Sequence, residues 1–120
     1  MELDSVLAGL RFVGLAEGSH QTYYVYAGKD QFVLLSASKS QPNSGRINVI
    51  SQEAVLYVHQ LAAGQQGVVA KDIFERSRRP GLIGSDLDVL HALYVLCATG
   101  QARKDNRFKR RALVFNVRAT

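Results

Sequence analysis

Cys97 is the one cysteine in 120 residues. A disulfide needs two, and zinc sites built from four cysteines, or from two cysteines and two histidines, are excluded with it. The thiol ends the apolar run Leu93-Tyr94-Val95-Leu96-Cys97, where a lone cysteine acts as a small hydrophobe. Histidine is also sparse: His20, His59 and His91 stand far apart and in no metal-ligand spacing. No G-x-S-x-G elbow surrounds Ser36, Ser38 or Ser40, and no Walker or Rossmann glycine pattern occurs. No catalytic residue, metal or cofactor is therefore expected, and the chain reads as a non-enzyme. Nor does any apolar run approach the roughly 18 residues of a membrane span. The opening Met-Glu-Leu-Asp has neither a basic segment nor a cleavage signal. These absences lead us to expect a cytoplasmic protein with no membrane partner.

Acid is scarce in one region. From residue 101 to 120 the bases Arg103, Lys104, Arg107, Lys109, Arg110, Arg111 and Arg118 face the single acid Asp105, a local charge of +6. The first hundred residues carry eight bases and nine acids, so the net +5 comes from this one segment. A short cationic segment between apolar runs is the footprint of a hairpin that meets a polyanion, nucleic acid being the commonest.

With 47% hydrophobic residues the chain fits one compact core. Leu3, Val6, Leu7 and Leu10 keep the spacing of one helical face and predict a short opening helix, although Leu10 to Leu15 suits a strand equally. The runs Thr22 to Ala27 and Gln31 to Ala37, separated by Gly28-Lys29-Asp30, predict a β-hairpin. Tyr24 and Tyr26 share one of its faces, and Tyr23 and Val25 the other. Residues 38–45 (SKSQPNSG) read as a loop, and Arg46 to Ile50 as a third strand.

Ser51 is placed to cap a first helix, whose apolar stripe of Ala54, Val55, Val58, Leu61 and Ala62 runs out at Gly64. A second helix extends from Ala70 to Arg78, with Ile73 and Phe74 as anchors, and stops ahead of Pro80. Ser85 caps a third, which has Asp86 and Asp88 in its first turn and Gly100 at its end. Two strands, Gln101 to Lys104 and Ala112 to Val117, then flank the basic tip from Asp105 to Arg111.

Three helices followed by a basic hairpin resemble a winged-helix domain over residues 51–118. The stretches that carry the resemblance are Val68-Val69-Ala70-Lys71-Asp72-Ile73-Phe74, Leu90-His91-Ala92-Leu93-Tyr94-Val95-Leu96 and Gly100. It implies an α+β fold with a three-helix core and a C-terminal β-hairpin wing, preceded by a small N-terminal antiparallel sheet. Residues 1–50 would be an extension and 51–120 the core of a single domain. The resemblance also implies DNA ahead of RNA as partner, and a transcriptional regulator as the role. In that family the third helix often reads bases from the major groove. Here the expected inward residues Leu87, Leu90, Leu93, Tyr94 and Cys97 leave Asp86, Asp88, His91 and Val95 outward, with no base between Pro80 and Ala102. Contact therefore falls to the wing: Arg103, Lys104, Arg107, Lys109, Arg110 and Arg111 on phosphates or in a minor groove. Phe108 stands at its centre. Arg76, Arg78 and Arg79 form a second cluster that either binds phosphate or favours the negative end of the second helix. Tyr23, Tyr24 and Tyr26, with Lys39 and Arg46 nearby, offer stacking faces or a covered sheet surface. A homodimer would supply that cover. The rival reading is a protein-interaction module using the third helix and the tyrosine-bearing sheet, or an accessory subunit of a larger assembly.

Overall fold

From Arg11 onward the chain alternates apolar with smaller or polar side chains between tight turns, a pattern that favours strands. The computed structural model describes residues 9–38, 40, 45–105 and 113–119. In it four strands follow one another: β1 (Arg11–Glu17), β2 (Gln21–Ala27), β3 (Gln31–Ser38) and β4 (Gly45–Ser51). Each pairs antiparallel with the next, in spatial order β1-β2-β3-β4. The first two turns are closed by backbone bonds in which Gly18 and Gly28 donate to the carbonyls of Gln21 and Gln31, both at 2.8 Å. Ser51 ends β4 and at once caps α1 (Gln52–Ala62), its hydroxyl accepting the Ala54 N–H at 3.0 Å. No loop separates sheet from helix.

The second helix, α2 (Ala70–Arg76), is shorter than the expected span to Arg78. Its last turn closes with Ser77 N–H on the Phe74 carbonyl, and the Tyr57 hydroxyl accepts the Arg78 N–H at 2.8 Å, drawing the backbone out of the helix. Ser85 caps α3 (Asp86–Ala98), accepting the Asp88 N–H at 3.3 Å. Gly100, at φ +81°, turns the chain out of α3 into β5 (Ala102–Lys104), which pairs antiparallel with β6 (Phe115–Val117). Val68, between α1 and α2, exchanges two backbone bonds with Phe115 at 2.8 and 2.9 Å and ties β6 to the helices.

The winged-helix expectation is corrected by this order. A four-stranded sheet comes first, then three helices, then a two-stranded sheet, and the first sheet is no extension. Val25, Leu34 and Ile50 from its strands share one buried cluster with Val58, Ile73, Leu93, Leu96 and Phe115. The physical reason lies in α3, whose apolar residues run right round the helix. Val89, His91, Ala92, Leu93, Tyr94, Val95 and Leu96 are all buried, as a helix covered on every side requires. It packs against α1 and α2 and also against the sheet, chiefly β1. The expected outward residues His91 and Val95 are thus inside, whereas Leu87, expected inside, is 53% exposed. Residues 3–8 of the expected opening helix and most of the basic tip fall outside the described residues, and Gly9 and Leu10 lie in no helix. Among the described residues, no helix is long and apolar enough to cross a membrane.

Candidate nucleic-acid interface

Alternation along β5 and β6 decides which side chains of the basic hairpin face out. Ala102, Phe115 and Val117 are buried, so Arg103 and Asn116, paired across the two strands, stand on the other face. Arg118 continues that face: its N–H donates to the Gln101 carbonyl at 2.8 Å, and its own carbonyl accepts from His59 Nε2 at 2.9 Å. Arg103 and Arg118 are therefore diagonal neighbours, about 7 Å apart on one surface. Both are exposed and line a groove with Gln66 and Asn116. A second groove adjoins the first through Gln66, Arg103 and Asn116 and runs toward Leu15 and Glu17 of β1.

Lys104 faces the other side of the hairpin, beside Cys97 at the end of α3. Burial pushes the Cys97 thiol up to about 11, against the smaller opposing effect of the Lys104 ammonium. The thiol is therefore protonated at neutral pH and unfit as a nucleophile.

The tail's one acid lines the same groove as Arg103 and Lys104. Asp105 is 7% exposed, and its Oδ2 accepts from Asn116 Nδ2 at 3.1 Å. Asn116 in turn accepts the Gly67 N–H at 2.9 Å through Oδ1. Both ends of the amide are engaged in holding the hairpin, which makes Asn116 a positioning residue. Neither Asn116 nor Gln66 stood out in the sequence. The phase of Phe115-Asn116-Val117, polar between two apolar residues of a strand, is the signal that turns Asn116 outward.

Of the expected contact residues, Arg103 and Lys104 are described and lie on this hairpin, while Arg107, Lys109, Arg110 and Arg111 are outside the described residues, as are Phe108 and Lys39. Arg76, Arg78 and Arg79 are exposed but already engaged. Arg76 Nη2 donates to Gln65 Oε1 at 3.1 Å, next to the Gln66 of the groove. Arg78 donates to the Glu75 and Ser77 carbonyls at 3.2 and 3.0 Å. Arg79 pairs with Glu53 at 3.2 Å and lies over the Tyr57 ring at 5.6 Å. Hydrogen bonding to the Arg78 backbone lowers the Tyr57 hydroxyl's pKa below its ordinary value, helped by Ser77. None of the three arginines lines either groove.

The tyrosines divide between the two faces of the sheet. Tyr23 stacks on Tyr94 with centroids 4.3 Å apart and planes 25° apart, and burial raises both hydroxyls above their ordinary pKa. They wall a cleft of about 650 Å³ between sheet and α3 that His91 and Arg46 also line. Tyr24 and Tyr26 stand on the opposite side of the sheet. The three rings thus form no single stacking platform. Among the described residues, no group of three or more His, Cys, Asp or Glu side chains is placed to hold a metal ion. Compared with known protein families, with curated proteins and with solved structures, the chain matches none.

Proposed function

We propose that the chain is a non-enzymatic, cytoplasmic nucleic-acid-binding protein that grips phosphates through the basic hairpin of residues 101–118. The observation that carries this is the pairing of β5 with β6, which sets Arg103 and Arg118 as exposed diagonal neighbours in a segment of seven bases and one acid. Arg103 and Arg118 are left side by side on an exposed groove. Arginine is suited to such a surface because its guanidinium makes planar, paired hydrogen bonds to phosphate oxygens.

The preference for DNA rested on the winged-helix resemblance and has no support without it. Phosphate is common to both nucleic acids, and α3, buried at Val89 and from His91 to Leu96, exposes Asp86 and Leu87 in its first turn and no basic side chain. Contact of this kind favours affinity over sequence specificity. Arg76, Arg78 and Arg79 enter as an outlying contact, weakened because each must give up a partner it already has.

Single and paired alanine substitutions, read by fluorescence anisotropy of labelled duplex and single-stranded oligonucleotides, test the assignment. Arg103→Ala and Arg118→Ala should each weaken binding across all sequences and reduce the logarithmic salt slope by about 1. The Arg78→Ala, Arg79→Ala pair should weaken it less. Equal effects from both sets would move the interface to the end of α2.

A further inference from the structure

The outer face of the four-stranded sheet is apolar, and no element among the described residues covers it. Val25 and Leu34 turn toward the helices, so their strand neighbours stand on the opposite side. The register aligns Leu15, Tyr24, Leu35 and Ile47 in one row straight across all four strands. The adjoining row is Phe12, Tyr26, Val33 and Val49. Neither row contains a charge. Phe12, Leu15, Ile47 and Val49 are exposed by 51, 48, 52 and 57%. Val33 is buried yet lies outside the main core cluster, among the side chains of its own row. Single exposed apolar side chains are ordinary on any protein, but two contiguous rows mark a contact surface.

We propose that this face packs against the same face of a second copy of the chain. Four strands about 4.8 Å apart and seven residues long give a footprint of roughly 20 by 23 Å, or about 450 Å² per chain before side-chain relief is counted. Two such faces in contact remove on the order of 1,000 Å² or more, where specific association begins. Charge restricts how two copies can meet. Two chains of net +5 repel, and the uncharged rows are where they can meet at least cost. The described part of the basic hairpin packs on the end of α3, and its groove reaches Leu15 at one edge of the face. Sheet faces pack in this way with their inner side chains interdigitating, and a twofold axis makes one surface complementary to itself.

Sedimentation of the full chain at about 100 µM should give twice the mass of one chain, and Ile47→Lys with Val49→Lys should weaken the association by at least about 100-fold. Leu56→Lys, at an exposed α1 position away from this face, should leave it unchanged. A readout that needs no variant is dilution followed by NMR: amide signals of residues 12–15, 24–26 and 47–49 should shift with concentration, while those of 92–96 should not. A monomer at that concentration would overturn the proposal and leave the face to another protein or to the chain's own first residues. A dimer whose shifts map elsewhere, or that survives both lysines, would overturn it as well. Oligonucleotide binding plays no part in these measurements, so they stand or fall apart from the proposed function.

Discussion

His91 shows how far a single side chain departs from what its position in the sequence suggests. It is 8% exposed and lies 6.3 Å from the Tyr23 ring. Burial lowers its pKa below the ordinary 6.5, and the Asp88 carboxylate opposes this only in part. Between that lowered value and 6.5 the unfolded chain binds a proton that the folded chain refuses, so stability rises with pH through this window. The contribution is complete above about 6.5 and is lost as the pH falls toward the folded value. Urea unfolding should therefore have a lower midpoint at pH 5 than at pH 7. His91→Phe, which keeps a ring beside Tyr23, should flatten that difference. An equal drop in both proteins would assign it to carboxylates instead. At the same scale, the caps at Ser51 and Ser85 were legible from sequence because a hydroxyl ahead of an apolar stripe has a local job. The roles of Asp105 and Asn116 were not, because they depend on a pairing across a dozen residues.

The meeting of β1 and α3 shows what was legible at the scale of elements. Strands and helices announced themselves by their periods and their glycine and serine punctuation, and Tyr23 and Tyr24 were correctly divided between the two faces. What periodicity could not give was the cover. A uniformly apolar helix has no face to read, so α3 was assigned an outer surface that the sheet in fact occupies. Gly14 records the contact. It sits at the β1 bulge with φ +150°, and a Cβ there would run into the Ala98 carbonyl oxygen, with the carbonyl carbon at 3.0 Å. That backbone cannot yield without shifting the end of α3. Gly14→Ala should cost about 2 kcal/mol or more, read as a lower urea midpoint. A neutral result would mean that the strand and helix are not held this closely. Gly67→Ala, also at positive φ but in open space, should cost less because only backbone conformation opposes it.

At the scale of the whole molecule, charge and apolar surface are segregated. The net positive charge comes from residues 101–120, and among the described residues the far side of the first sheet exposes Phe12, Leu15, Ile47 and Val49. That segregation lets a chain of net +5 associate with itself through one face and with a polyanion through another. Charge segregation was visible in the sequence as a count. Its geometry was not, since four of the seven bases lie outside the described residues and the rest are arranged by strand pairing. The most direct measurement of the central claim is the affinity of the full chain for a labelled oligonucleotide, duplex and single-stranded, between about 50 and 200 mM salt. If about six cations meet phosphates, the logarithmic slope should be near −5, a loss of roughly a thousandfold over that range. No binding of either form at the lowest salt, or a slope near zero, would contradict it.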